Sequence, residues 1–187
     1  MKNCVSKIFA LAGALLLCAL PALSAPEIVV DKKNASSATE YSVSLCVRKS
    51  PGLTGLPGHC YVRWLKKQNG SIIEDGKYGF YPDSTNHWKV AFVDGTVKTE
   101  DPSLTDPSDC TVTVLVSQPA YDVSVHARQK YGPKATYTLG ISDCVSMCDD
   151  VAQALGINHP SSTSFSLPAN YIHRVYEENS PGLGTAP

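Results

Sequence analysis

The sequence lacks the block of basic residues that a nucleic-acid-binding chain places along a phosphate backbone. Its 187 residues include 16 Lys and Arg and 17 Asp and Glu, which gives a net charge of −1. Lys2 and Lys7 lie in an opening segment without acidic residues, so the rest of the chain carries −1 − 2 = −3. A charge so close to neutral argues against a nucleic-acid partner.

The sequence also lacks an apolar run long enough to span a bilayer. Ile8–Leu20 is unbroken but short, and no second candidate follows it. The next letters, PALSAP, offer small residues suited to signal-peptidase cleavage near Ser24 or Ala25. We therefore predict a signal peptide over residues 1–24, no stable membrane insertion, and an exported protein that is periplasmic or secreted.

The length that remains is enough for one hydrophobic core and short for two. We predict a single domain over residues 25–178 and a flexible tail over residues 179–187. Alternating or apolar stretches predict strands in EYSVSLCVR, HCYVRWL, YGFYPD, HWKVAFVDG and TVTVLVS. Asn69-Gly70 and Asp75-Gly76 are typical turn dipeptides.

The second half of the chain changes to helical spacing. Helices are predicted in QPAYDVSVHARQKYG, in DCVSMCDDVAQALG with Gly156 as its C-cap, and from Pro168 through ANYIHRVYEE. Strands that come first and helices that follow them predict an α+β domain.

Cysteine is the most informative residue type. Two of the seven lie in the predicted leader, and the other five are Cys46, Cys60, Cys110, Cys144 and Cys148. Disulfides persist in an exported protein. An odd number leaves at least one thiol free or paired outside the chain.

Cys144 has the strongest claim to chemistry. With Ser142 or Asp143 as N-cap, it lies in the first helical turn, where free amides and the helix dipole favour a thiolate. A thiolate is a competent nucleophile, and a nearby histidine would lower its pKa further. The alternative is a buried or disulfide-bonded cysteine. For Cys148, one turn later on the same stripe, core packing or a disulfide is favoured.

Five histidines could supply a base: His59, His87, His126, His159 and His173. His59 differs from the others because it opens a strand directly after a Gly/Pro-rich loop. Strand ends beside loops are where rigid scaffolds present reactive groups.

The stretches GLPGHCYVRW, KYGFYP and YTLGISDCVSMCDDVAQALGI resemble the circularly permuted branch of the NlpC/P60 papain-like superfamily, with SLPANYIHRV similar to its closing helix. In that branch the histidine strand precedes the cysteine helix. The resemblance covers roughly residues 55–175. It implies a permuted papain-like fold, with an antiparallel sheet packed against the helix that carries the cysteine.

The resemblance implies Cys144 as nucleophile, His59 as base, and a third polar residue that orients the imidazole. The strand after His59 offers Tyr78 and Tyr81, with Glu74 or Asp75 upstream, and Tyr81 is favoured. One departure concerns strand alternation, which puts His59 on the face opposite Val62 and Trp64. A helix packed only on the Val62 and Trp64 face would keep His59 away from Cys144.

A free Cys144 would also leave an even set of four cysteines, Cys46, Cys60, Cys110 and Cys148. Three pairings of these four are possible, and the sequence does not choose among them.

These features predict a thiol hydrolase that cleaves an amide bond through an acyl-enzyme, with a peptide of the cell wall as substrate and no cofactor or metal. Two alternatives stay open. One is a lipid acyl hydrolase or transferase with the same two residues. The other is a disulfide-stabilised periplasmic binding or inhibitor module without activity.

Overall fold

A computed structural model describes residues 27–33, 38–49, 58–83, 91–161 and 163–181. The predicted leader and residues 182–187 of the predicted tail lie outside the described residues. The strands are β1 (Ile28–Asp31), β2 (Thr39–Arg48), β3 (His59–Gln68), β4 (Ser71–Pro82), β5 (Val93–Thr99), β6 (Cys110–Val116) and β7 (Ala135–Tyr137). The helices are α1 (Gln118–Gln129), α2 (Cys144–Leu155) and α3 (Pro168–Asn179), with two 3-10 turns at Pro102–Leu104 and Pro107–Asp109.

The strands form one sheet in the order β1-β6-β2-β3-β4-β5-β7. Every neighbouring pair is antiparallel except β1 and β6, which run parallel. The predicted α+β class is confirmed. The sheet is antiparallel apart from that one edge pair.

The turn between β3 and β4 follows the prediction, but the second proposed turn is wrong. Asn69 and Gly70 have φ of 50° and 80°, the left-handed values that a tight hairpin needs. Asp75 and Gly76 instead lie inside β4, opposite β3. A bidentate ion pair across the strands, from Arg63 Nε and Nη2 to Asp75 at 2.7 and 2.9 Å, helps to keep this stretch extended.

The core lies between one face of the sheet and the three helices. Inward residues of β2, β3 and β6 pack against apolar residues of α1, α2 and α3 in a single cluster. Trp64 is buried in it, donates from Nε1 to Ser124 Oγ at 2.9 Å, and has the Arg128 guanidinium 4.9 Å from its ring centre. These contacts fix α1 against β3.

The opposite face carries a small buried cluster of Cys46, Tyr61 and Cys110. Cys46 and Cys110 form a disulfide that joins β2 to β6. Cys60 and Cys148 are free thiols, so the four cysteines expected to pair contain one bridge rather than two.

Within the part of the chain that the structure describes, no helix combines the length and apolar character needed to cross a membrane.

Candidate active site

The first turn of α2 presents Cys144. Asp143 is the N-cap, and its Oδ1 accepts from the amides of Val145 at 2.9 Å and Ser146 at 3.3 Å. Gly156 ends the helix with φ of 62°, as its C-cap position requires. Cys144 is the first helical residue and is 4 % exposed, so its sulfur lies at the positive end of a twelve-residue helix.

A tight turn before α2 holds this helix start in place. Thr138 and Ser142 bond to each other through both backbone groups at 2.8 Å, and Gly140 between them has φ of 81°. The Gly140 amide donates to Asp143 Oδ2 at 2.6 Å. Asp143 therefore caps the helix and ties it to the turn, which explains why a buried carboxylate is tolerated beside a cysteine.

His59 lies at the first position of β3 and reaches Cys144. Its partner across the strands is Arg48, the last residue of β2. The imidazole and the Cys144 thiol line the same cleft, and each is a cause of the other's shifted pKa. Alternation does place His59 away from Val62 and Trp64. At the strand end, however, the ring still meets the helix, so the expected obstacle does not arise.

The other side of the imidazole faces a carboxylate, Glu100. His59 Nε2 lies 3.2 Å from Glu100 Oε1, and Nε2 makes no well-aligned hydrogen bond within the described residues, so the two groups meet as an ion pair. Gly79 of β4 lies directly against this contact, because a Cβ there would overlap both atoms. With Nε2 facing Glu100, Nδ1 is the nitrogen left for Cys144.

Glu100 is buried and held by two more residues. Tyr81 donates from its hydroxyl to Glu100 Oε1 at 2.6 Å, and Arg48 Nε donates to Oε2 at 3.1 Å. Arg48 Nη2 also donates to the Tyr81 hydroxyl at 3.0 Å. The Tyr81 ring stacks on the imidazole of His59, with ring centres 4.2 Å apart. Tyr81 and Arg48 thus fix the Glu100 carboxylate beside His59.

The electrostatics favour a charged pair. Burial lowers the pKa of His59, but its interactions with Cys144 and Glu100 outweigh burial and raise that pKa to about 9. Burial raises the pKa of Glu100, yet its interactions with His59, Tyr81 and Arg48 bring that pKa below its usual range. The histidine is therefore protonated, and the carboxylate ionised, near neutral pH.

The Cys144 thiol is shifted in the direction a nucleophile needs. Interaction with the neighbouring Cys60 side chain does most to lower the pKa of Cys144; burial opposes it, and His59 and the Cys60 backbone amide add to the lowering. Burial is the main reason that the pKa values of Cys60 and Cys148 are raised. Of the three free thiols, Cys144 is therefore the one that ionises.

A cleft of about 390 Å³ reaches this pair. His59 and Cys144 lie on its wall with Gly58, Tyr137, Asp143, the turn residues Leu139 and Gly140, and Phe165, Ser166, Leu167 and Pro168 at the start of α3. The volume is near the lower end of the range for small-molecule sites.

The other described histidines lie elsewhere and have ordinary partners. His126 Nδ1 is 3.0 Å from Gln129 Oε1, His159 pairs with Asp149, and His173 pairs with Glu177 on the surface of α3. His87 lies outside the described residues.

The structure brings together Cys144, His59 and Tyr81, the three residues singled out from the sequence. Tyr81 contacts the face of the imidazole, whereas the group at Nε2 is Glu100, which the sequence reasoning missed. Arg48 was also missed, although pairing β2 with β3 through the intervening loop would have placed it beside His59. Glu100 had no such local signal, since only the contact between β4 and β5 brings it near.

Among the described residues, no group of three or more His, Cys, Asp or Glu is arranged to hold a metal ion. Comparisons of the sequence and structure with known proteins found no matching family model, no matching curated protein and no matching solved structure. The functional argument therefore depends on the geometry of Cys144, His59 and Glu100.

Proposed function

We propose that this chain is a thiol hydrolase that cleaves an amide bond, with Cys144 as nucleophile, His59 as general base and acid, and Glu100 as the group that orients His59. The observation that carries the proposal is that Cys144, His59 and Glu100 lie in succession, with His59 between the other two. A helix-start thiol with a lowered pKa meets an imidazole whose other nitrogen faces a buried carboxylate. A nucleophile, a base and an orienting acid in this order are the parts that acyl transfer requires.

The first half of the reaction forms a thioester. The Cys144 thiolate attacks the carbonyl carbon, a C–S bond forms, and the electron pair of the carbonyl moves to its oxygen. The backbone N–H of Cys144 at the helix start is a donor for that oxyanion. As the oxyanion collapses, the C–N bond breaks and the His59 imidazolium gives its proton to the leaving amine.

The second half restores the enzyme. Neutral His59 takes a proton from water, and the resulting hydroxide attacks the thioester carbonyl. The C–S bond breaks, the carboxylic acid leaves, and the thiolate and imidazolium are regenerated. Glu100 keeps the ring oriented and stabilises the imidazolium in both halves without taking the proton.

The wider expectations belong to the same proposal. We infer a permuted papain-like arrangement, because the β3 histidine precedes the α2 cysteine along the chain and the sheet packs against that helix. We infer export from the predicted leader, with a peptide of the cell wall as substrate. A non-catalytic binding or inhibitor module is the competing function.

The test begins with Cys144 itself. Oxidised, folded protein treated with iodoacetamide at mildly acidic pH should be alkylated fast at Cys144 and slowly at Cys60 and Cys148. Purified cell-wall peptides and their amide fragments should be cleaved by the wild type and not by Cys144→Ala. Cys148→Ala is the matched control, because it removes a buried sulfur one turn later. Slow labelling of Cys144 without turnover would support the binding module instead.

A further inference from the structure

The entrance of the cleft is apolar. Leu139, Phe165 and Leu167, here called the apolar rim, line the cavity and are nonetheless 47 %, 78 % and 52 % exposed. Phe92 and Ile141 on the adjoining segments are also largely exposed. Large apolar side chains left in water around a nucleophile indicate a surface that a ligand covers.

The apolar rim is held in position by the backbone. Phe165 has φ of 57°, a left-handed value that a residue with a bulky side chain rarely adopts. Its amide donates to the Gly140 carbonyl at 2.8 Å. A Cβ on Gly140 would lie 2.7 Å from Phe165 Cδ1, so the ring packs directly on that glycine. An unfavourable backbone conformation that places an aromatic ring in solvent at a site mouth suggests selection for function.

The described wall offers little to a charged substrate. Apart from Cys144, His59 and Tyr137, its one ionisable residue is Asp143. That carboxylate is 3 % exposed and accepts from the amides of Gly140, Val145 and Ser146, so it is already satisfied. The described wall therefore has no exposed cation to bind a substrate carboxylate and no exposed anion to bind an amine.

We propose that the site takes an acyl group whose carbonyl carries an apolar substituent, and that the apolar rim covers that substituent while Cys144 attacks. The inference depends on the proposed function and narrows it to one substrate class. The apolar substituent could be an apolar amino-acid side chain or a short alkyl chain. Both share the same recognition chemistry, and the cleft of about 390 Å³ suits a group of modest size.

The first experiment does not need turnover. Cys144 in the full exported chain is alkylated with iodoacetamide, N-butyl iodoacetamide, N-hexyl iodoacetamide and iodoacetate, each rate divided by that for free cysteine. Burial of each methylene should raise the normalised rate about two- to four-fold until the cleft is filled. Iodoacetate is the charged comparison, because its rate reports the positive charge of His59 and of the α2 start rather than the apolar rim. Equal normalised rates across the neutral reagents would overturn the inference, whatever the protein hydrolyses.

Variants of the apolar rim, with one matched control, test whether the rim causes the chain-length dependence. Phe165→Asn keeps a residue that tolerates a left-handed backbone, and Leu167→Ser removes a second apolar contact. Both should flatten the chain-length dependence, taken as the rate of each longer reagent divided by the iodoacetamide rate of the same variant. Ile72→Thr alters an equally exposed residue on β4 and should keep the full dependence. A dependence that survives in both rim variants would also overturn the inference.

The second experiment measures turnover. It distinguishes an apolar amino-acid side chain from an alkyl chain as the substituent that the apolar rim covers. N-acylated p-nitroanilides of Leu, Phe, Glu and Lys are compared with p-nitrophenyl esters of increasing acyl length. A ten-fold or larger preference for Leu or Phe identifies a side chain; esters that keep improving with length identify an alkyl chain. Turnover with no apolar preference would overturn the inference and leave the hydrolase proposal standing. Fast alkylation of Cys144 without any turnover would count against the hydrolase proposal alone.

Discussion

Gly79 has no room for a side chain, because the His59 imidazole and the Glu100 carboxylate meet across its α-carbon. A glycine on β4 thus has a role in the site on the neighbouring strand. The sheet is assembled so that the backbone itself leaves the space in which the His59 imidazole and the Glu100 carboxylate come together.

Gly79→Ala should therefore abolish most of the activity while the fold persists. The added methyl group overlaps His59 Nε2 and Glu100 Oε1, so one of the two must move. Amide hydrolysis should fall at least about 100-fold, since misplacement of a catalytic group by about 1 Å can cost that much. Gly132→Ala, at an outlying turn where the added methyl group meets one backbone carbonyl, is the control and should keep its activity. Equal activity of Gly79→Ala and wild type would show that the His59–Glu100 contact is not needed.

Glu100→Gln should lower the pKa of His59 from about 9 toward its ordinary value. The variant keeps the shape of the side chain and removes the negative charge that favours the imidazolium. The pKa should fall only part of the way, because Cys144 is the larger of the two causes that raise it. The alkaline limb of the pH–rate profile reports this change. An unshifted limb would mean that Glu100 is structural only.

Tyr81→Phe should have a smaller effect than Glu100→Gln. The ring still stacks on His59 and Arg48 still binds the carboxylate, but Glu100 Oε1 loses the hydrogen bond from the hydroxyl, worth about 1.5 to 3 kcal/mol to a charged group. Because the charge of Glu100 remains, hydrolysis should fall less than in Glu100→Gln, with the alkaline limb moved only slightly. If Tyr81→Phe loses as much activity as Glu100→Gln, then Tyr81 and not Glu100 is the orienting residue, as the sequence had suggested.

The sequence indicated much of the fold because the relevant signals are local. The stripe Cys144, Cys148, Val151 and Leu155, with Gly156 after it, predicts α2, and the alternation of β2, β3 and β6 predicts three central strands. The ends of the strands and the turns between them were harder to predict. Asp75-Gly76 has the composition of a turn, yet the ion pair with Arg63 on β3 keeps it in a strand. A cross-strand contact of this kind overrides local propensity.

Two of the three central site residues could be predicted from the sequence, because their signals are also local. Cys144 and His59 each follow a local break in structure, a helix cap and a Gly/Pro loop. Glu100 lies in a polar segment after β5, and nothing local separates it from Asp101 or Asp106. Its role depends on three neighbours, His59, Tyr81 and Arg48, brought together from separate strands.

The pH dependence should have an acidic limb that reports Cys144 and an alkaline limb that reports His59. The lowered pKa of Cys144 keeps it ionised in mildly acid solution, so alkylation of Cys144 should remain fast where ordinary thiols, with pKa near about 8.5, are almost fully protonated. Hydrolysis also needs protonated His59, and should decline as pH rises through about 9. His59→Gln should move the alkylation profile toward alkaline pH. Unchanged alkylation in that variant would show that His59 does not stabilise the thiolate.

Cys60→Ala should raise the pKa of Cys144, because the interaction with the Cys60 side chain is the largest cause that lowers it. The ultraviolet absorbance of the thiolate, followed during titration, measures the shift. Cys148→Ala removes an equally buried sulfur and should leave the Cys144 titration close to that of wild type. Similar shifts in both variants would indicate a general packing effect.

The pairing of cysteines can be settled by counting thiols. Unreduced protein from residue 25 onward, unfolded in denaturant, should expose three thiols, Cys60, Cys144 and Cys148. The bridge between Cys46 and Cys110 closes a separation of 64 residues, so replacing both with Ala should cost about 4 kcal/mol of unfolding free energy by loop entropy. The thiol count should then stay at three. A count of one in the wild type would mean that two of these three thiols have bridged. Alkylation before unfolding then identifies the pair: labelling of Cys144 means that Cys60 has bridged to Cys148, and no labelling of Cys144 until mild reduction means that Cys144 is in the bridge.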